Sequence, residues 1–254
     1  MTSLPAAFIH VPLAHRALHD LTDQRPENSR AAIDAAIRAG YGIEIDLQLS
    51  ADGQAMVFHD YDMRRLTGLK GPVQTRTQAE LGAIPLTGGD GTIPTFSEVL
   101  AVVDGQVPLL VEIKDQDGAL GDNVGVLEQA TARALDGYAG PVAVMSFNPH
   151  AVQALARFAP DVPRGLVTCD FAPEDWPAPK PVLDRLRDIP DFDRVGASFI
   201  SHDRNDLTNP AVQALRAQGH PVLSWTIRSP EEEAAARRHA ENITFEGYMA
   251  PFPA

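Results

Sequence analysis

The sequence predicts a single α/β domain over residues 1–254, a closed (β/α)8 barrel of the TIM type with a hairpin arm after its second strand. Three observations lead there. Eight short apolar runs alternate with stretches of helical periodicity, the pattern of parallel strands joined by helical crossovers. No glycine-rich phosphate turn follows the first run, which disfavours an open doubly wound sheet. No linker, charge block or short internal period divides the chain. The strand-like runs are Val11–Arg16, Gly42–Leu47, Leu109–Lys114, Val142–Phe147, Gly165–Cys169, Gly196–Ser201, Pro221–Thr226 and Ile243–Glu246. Helical spacing marks Ser29–Ala39, Phe96–Val103, Val124–Leu135, Ala151–Phe158, Pro210–Ala217 and Pro230–His239, the first with Asn28 placed to cap its opening turn.

A ninth run, Ala55–His59, follows the second strand after only Ser50–Gln54, too short a connection for a crossover to a parallel neighbour. Ala51-Asp52-Gly53 reads as a hairpin turn. Folding back about Asp52 sets His59 opposite Ile45, within one residue of register, and brings Glu44, Asp46 and His59 to one level of the structure.

Composition narrows the function. With 21 Lys+Arg against 34 Asp+Glu the formal charge is −13, and no basic run is available to displace counterions from nucleic acid. No apolar stretch reaches the ~18 residues of a membrane helix, so no stable membrane insertion is expected. The opening Met1–Pro12 lacks a cationic start followed by a long apolar segment, which points to a cytoplasmic protein. The lone Cys169 permits neither an intrachain disulfide nor a thiolate cage, and reads as a buried, inert thiol.

Glu44 and Asp46 alternate with Ile43, Ile45 and Leu47, so both acids share one face of a strand. Facing inward near the C-terminal rim of a barrel, two carboxylates repel unless a cation or a proton stands between them. Oxygen donors suit magnesium or calcium, whereas the plain alternative is a solvated edge strand. Glu112 shifts that balance, because it stands in the apolar run Leu109–Lys114 where an unpaired carboxylate is costly. Lys114 shares its face; the two form either a buried ion pair or a third metal ligand beside a phosphate-binding ammonium. His15 and Arg16 end the first strand. Arg16 offers a fork of donors to an anion, and His15 with His59 offers two proton-transfer groups. A metal, an arginine and two histidines describe a phosphodiester site. His10, His19, His150, His202, His220 and His239 receive no role.

The ordered motifs Ala14-His15-Arg16, Pro26-Glu27-Asn28, Glu44-Ile45-Asp46, Asp52-Gly53, His59-Asp60, Ile93–Glu98 and Glu112-Ile113-Lys114 resemble the glycerophosphodiester phosphodiesterases. The resemblance is dense over the first half of the chain. Afterwards it rests on Ser146-Phe147 and Trp225-Thr226-Ile227. It implies a (β/α)8 barrel that hydrolyses glycerophosphodiesters to an alcohol and glycerol 3-phosphate with one divalent cation, Mg2+ or Ca2+. Carried over by position, it implies Glu44, Asp46 and Glu112 as metal ligands and His15 and His59 as the acid–base pair. Arg16 and Lys114 would contact phosphate, Glu27 would sit at the rim near Arg16, and Trp225 would line the glycerol or alcohol pocket.

Three positions depart from the family pattern. Ala17 stands where glycine is usual after His-Arg and opens the loop Leu18–Arg25. Arg228 replaces an asparagine, and Glu246 replaces an aspartate. All bear on the substrate more than on the reaction. Alternatives are a lysophospholipase D-type or cyclising phosphodiesterase and an inactive phosphate-binding barrel. An enolase-like enzyme draws its acids from successive strands, unlike the pair on one strand here.

Overall fold

The computed structural model describes residues 2–253. Nine strands among the described residues carry the architecture: β1 Leu13–Ala14, β2 Gly42–Leu49, β3 Ala55–Val57, β4 Leu109–Ile113, β5 Val142–Ser146, β6 Arg164–Thr168, β7 Phe199–Asp203, β8 Val222–Ile227 and β9 Asn242–Phe245. Parallel pairing runs β1-β2-β4-β5-β6-β7-β8-β9 and closes again on β1, while β3 pairs antiparallel with β2. The expected eight-stranded parallel barrel with a hairpin arm is the observed fold.

The hairpin register pairs Leu47 with Val57 and Leu49 with Ala55. Continued past β3, it brings His59 level with Ile45, as the turn at Asp52 predicts. Gly53 supplies the left-handed residue that this turn requires, at φ +76.

Inside and outside follow strand alternation. Ile43, Ile45 and Leu47 of β2 pack against the helical layer with Ile33, Phe96 and Val99, and the opposite face of β2 points into the barrel. The interior is filled by Leu13, Leu110, Ala143, Met145, Val167, Phe199 and Leu223. Two small residues make room for large ones. A Cβ on Gly42 would come within 2.5 Å of Leu13, and one on Gly165 within 2.5 Å of the Phe199 ring. The N-terminal end is closed by the short helix Ala7–His10, whose Phe8 is fully buried. Asn242 donates from Nδ2 to the Phe8 and Val11 carbonyls at 2.8 and 2.6 Å and ties that plug to β9. The C-terminal end stays open.

Several local expectations are corrected. The first strand is two residues rather than six, because Pro12 lacks an N–H and the backbone turns left-handed at Arg16 and Ala17, φ 51 and 64. The sixth barrel strand, β7, starts at Phe199, since Gly196 lies in a left-handed turn (φ 63) against the Arg164 side chain. Asn28 does not cap the first long helix. Ser29 does, its hydroxyl accepting from the Ala32 N–H at 3.2 Å over helix Arg30–Ala39. Helix Lys180–Leu186, between β6 and β7, was not expected; prolines at 173, 177, 179, 181 and 190 mask its periodicity. Residues 58–95 form a lobe with two short helices, Arg64–Thr67 and Gln78–Leu81, over its own core of Met63, Leu66, Val73, Leu81 and Ile84. No helix among the described residues is long and apolar enough to cross a membrane.

Candidate active site

The open end of the barrel holds a cavity of about 190 Å³ lined by His15, Arg16, Glu44, His59, Glu112, Lys114, Phe147, Trp225 and Arg228, among others. A wider, shallower depression of about 800 Å³ lies at the opposite end, between Thr2 and Pro163. Among the described residues it is lined by no lysine, arginine or histidine, so the chemistry belongs to the smaller cavity.

Glu44 and Asp46 project inward from β2, and Glu112 projects from β4, where it pairs in register with Asp46. All three are buried, and one oxygen from each lies within 4.8 Å of the others. Burial, then the neighbouring Asp46 and Glu112 charges, push the Glu44 carboxyl well above the usual carboxylate range. Burial works the same way on Asp46, but Lys114, His59 and Arg16 outweigh it and hold that carboxyl below its ordinary value. Lys114 Nζ bridges Asp46 Oδ1 at 2.7 Å and Glu112 Oε1 at 2.6 Å, so it stands as a buried ion pair. Three clustered hard oxygen donors, one of them electrostatically uncomfortable, fit a divalent cation. Asn28, which the helix does not need, donates from Nδ2 to Asp46 Oδ2 at 2.9 Å and accepts from the Asp46 N–H at 3.3 Å.

Arg16 is held from several sides. Its N–H donates to Glu44 Oε2 at 2.9 Å, and its guanidinium to Glu27 Oε1 at 2.8 Å. Its Nε is buried without a hydrogen-bond partner, 3.8 Å from Asp46. The arginine lines the cavity as a fixed cation, a ready anion contact. Glu27 also receives Arg65 at 2.7 and 2.8 Å. Burial works to raise its carboxyl, but Arg65 and Arg16 keep it below the usual range.

Each cavity histidine has one ring nitrogen committed to a carboxylate. His15 Nδ1 meets Glu246 Oε2 at 2.5 Å, and His59 Nδ1 meets Asp60 Oδ1 at 2.8 Å. Arg65 grips both oxygens of Asp60 at 2.7 Å, and Arg228 Nε holds Glu246 Oε1 at 2.7 Å. Burial pushes the His15 imidazole down, outweighing the opposing effect of Glu246. The His15 hydrogen bond and the nearby His19 ring hold the Glu246 carboxyl well below its ordinary value. Trp225 donates from Nε1 to the Ser201 carbonyl at 3.0 Å and meets Phe147 edge to face at 5.6 Å.

The matched family model is the glycerophosphoryl diester phosphodiesterase family, over residues 15–243. The chain belongs to that family. As a glycerophosphodiester phosphodiesterase by descent it is an enzyme. The Bacillus subtilis (strain 168) protein YhdW is 25% identical over 251 residues, 95% of this chain and 94% of its own length. A Caldanaerobacter subterraneus glycerophosphodiester phosphodiesterase is 30% identical over 160 residues, 59% of this chain and 65% of that one. Among solved structures, an Oleispira antarctica phosphodiesterase in complex with the product sn-glycerol-3-phosphate superposes with a TM-score of 0.74 at 24% identity, covering 94% of both chains. A Parabacteroides distasonis glycerophosphodiester phosphodiesterase superposes with a TM-score of 0.72 at 21% identity, covering 93% of this chain and 92% of its own.

Sequence reasoning gave no role to Asn28, Asp60, Arg65 or Phe147 at the site, and none to Glu246 beyond its departure from the family. Asn28 had a readable signal: Ser29 alone suffices as a cap, which leaves an adjacent asparagine spare. Cys169 is buried, and burial pushes its thiol up to about 12, the inert state expected of it. His202 is fully buried and bonded to Thr168 Oγ1 at 2.7 Å, a core histidine.

Proposed function

We propose that this enzyme hydrolyses glycerophosphodiesters to an alcohol and sn-glycerol 3-phosphate, using His15 as general base, His59 as general acid and one divalent cation. The observation that carries the reading is that two histidines, each backed by its own carboxylate, line one cavity with three clustered acids and an arginine whose Nε has no partner.

The substrate's phosphodiester carries a single negative charge and approaches a chain of net charge −13, so binding depends on local cations rather than on the global field. Arg16 is the contact for a phosphate oxygen through its guanidinium, which Glu27 holds in place. Glu44, Asp46 and Glu112 would hold Mg2+ or Ca2+, which supplies a Lewis acid for charge developing at phosphorus. Lys114 offsets charge among those acids and is the second phosphate contact once its bridge relaxes.

The two histidines divide the proton work by environment. His15 is the less exposed of the two and biased toward the neutral ring, and with Nδ1–H donated to Glu246 its lone pair resides on Nε2. That is the state of a base taking a proton from the water that attacks phosphorus. His59 is more exposed, and Asp60 stands ready to partner an imidazolium that gives its proton to the leaving alkoxide. Trp225 and Phe147 form an aromatic wall for the carbon skeleton of the glycerol or alcohol.

The test is a panel of glycerophosphocholine, glycerophosphoethanolamine and glycerophosphoglycerol assayed with magnesium, calcium or chelator, reading sn-glycerol 3-phosphate. Cation-dependent release is expected. Activity indifferent to chelation overturns the metal assignment, and turnover confined to esters without glycerol overturns the substrate class.

A further inference from the structure

Glu246 meets a second imidazole besides His15. His19, in the loop after β1, points Nε2 at the same carboxylate oxygen, 3.5 Å away, and that nitrogen is buried without a hydrogen-bond partner. His15 Nδ1, His19 Nε2 and a Glu246 oxygen all lie within 4.8 Å of one another. This cluster differs in kind from the one formed by Glu44, Asp46 and Glu112. Two borderline imidazole nitrogens beside one carboxylate favour zinc over magnesium or calcium, whereas three hard carboxylates favour the hard ions.

The spacing suits such an ion. Zinc binds nitrogen and oxygen at roughly 2.0–2.2 Å, which sets tetrahedral ligand atoms about 3.3–3.5 Å apart. The His19–Glu246 separation of 3.5 Å already matches. The 2.5 Å between His15 and Glu246 is a hydrogen-bond distance and must open by under about 1 Å. Arg228 holds the other Glu246 oxygen at 2.7 Å and leaves Oε2 turned toward both rings. The local backbone supports the arrangement, since consecutive left-handed residues Arg16 and Ala17 reverse the chain so that His19 returns beside His15.

We propose that His15, His19 and Glu246 form a second, zinc-selective site, and that zinc bound there switches the enzyme off by reversing the tautomer of His15. The proposal rests on the reading of His15 as general base. In the resting enzyme Nδ1–H faces Glu246 and Nε2 carries the lone pair. Zinc takes a lone pair on Nδ1, so the ring proton moves through solvent to Nε2. The imidazole stays neutral and no proton is released overall, but Nε2 now holds a hydrogen and accepts none from the nucleophile. Glu246 is at the same time withdrawn from orienting the ring.

The experiment uses the 254-residue enzyme with magnesium saturating, titrated with zinc by calorimetry and in parallel by activity, together with cobalt substitution read by visible absorption. Wild type is expected to take up one equivalent of zinc, to lose turnover with the same midpoint, and to give the visible bands of cobalt with nitrogen ligands. His19→Ala and the size-preserving His19→Gln should keep zinc-free kcat/KM within about twofold of wild type. Both midpoints should weaken by at least about tenfold, the lower range for losing even an outer partner of a metal site. Equal zinc midpoints in wild type and both variants overturn the proposal, as does inhibition relieved in proportion to added magnesium, which places zinc among Glu44, Asp46 and Glu112. Zinc uptake is read independently of turnover. An enzyme inactive on every glycerophosphodiester but binding zinc through His19 refutes the reaction alone, while full activity without that uptake refutes only this site.

Discussion

The two sides of the cavity solve one electrostatic problem by different routes. On one side His15 leaves the end of β1 with its side chain 14% exposed, and its carboxylate partner arrives from 231 residues away, just past β9. On the other, His59 leaves the hairpin arm with its side chain 30% exposed and takes its partner, Asp60, from the next position in the chain. Barrel closure builds the first pair, because β1 and β9 are neighbours only when the sheet joins itself. Local chain builds the second, and the lobe secures it through Arg65, which grips Asp60 and Glu27 together. The closed barrel thus holds a rigid, largely desolvated imidazole, and the lobe holds a more adaptable one at the rim.

The largest expected effect falls on what both sides share. Removing the cation with chelator, or changing Glu112→Gln, should abolish release of sn-glycerol 3-phosphate. Glu44→Gln should do the same yet raise the melting temperature of the metal-free protein. The sign follows from the raised carboxyl of Glu44: a group whose folded value lies above its unfolded one destabilises the fold once pH exceeds the unfolded value, and an amide removes that penalty. A metal-free Glu44→Gln protein that melts lower than wild type contradicts the crowding of the three acids.

Next come the histidines themselves. His15→Ala and His59→Ala should each lower kcat by ~10²–10⁴, with circular dichroism unchanged; near-normal turnover in either removes that ring from the mechanism. The contrast between the two sides then sharpens on their partners. Glu246→Gln should cost kcat about 10- to 100-fold, as loss of an orienting partner does at comparable sites. Asp60→Asn should cost less, because His59 is also reached by solvent. The reverse ranking would assign the rigid role to the wrong side.

A gentler measure is the pH profile with zinc excluded. Burial lowers the His15 value from 6.5, so the acidic limb of kcat/KM should fall below pH 6.5. Glu246 acts to raise that value, so Glu246→Gln should carry the limb lower still, and a limb moving upward contradicts the assignment. The smallest effect concerns Ala17, held at φ 64 where glycine is at ease. Ala17→Gly should stabilise by about 1 kcal/mol, since the left-handed strain it relieves, ~1–2 kcal/mol, exceeds the entropy that glycine adds to the unfolded chain. That is a rise of ~2–4 °C for a chain of this size.

Much of this molecule is legible from periodicity. The acids of β2 and β4 stand out because a charged residue repeated at strand spacing within apolar runs has few bland explanations. The hairpin register is readable to within one residue, since a tight turn at Asp52 sets Leu47 near Val57. The elements that escaped are those whose stability is tertiary. Helix Lys180–Leu186 hides among prolines and survives by docking Leu183 and Leu186 into a small cluster with Phe171 and Cys169. The lobe core draws on residues scattered from Met56 to Ile93, no two short windows of which reveal it.

By itself the sequence determined the strand–helix alternation, the face on which each acid lies and the level His59 reaches, because these follow from side-chain period and turn length over a few residues. Only the closed tertiary structure decided which carboxylate backs which histidine, that Asn28 serves Asp46 rather than a helix end, and that His19 meets Glu246. Those contacts join segments tens to hundreds of residues apart, and nothing in local backbone preference encodes a distance across a barrel mouth.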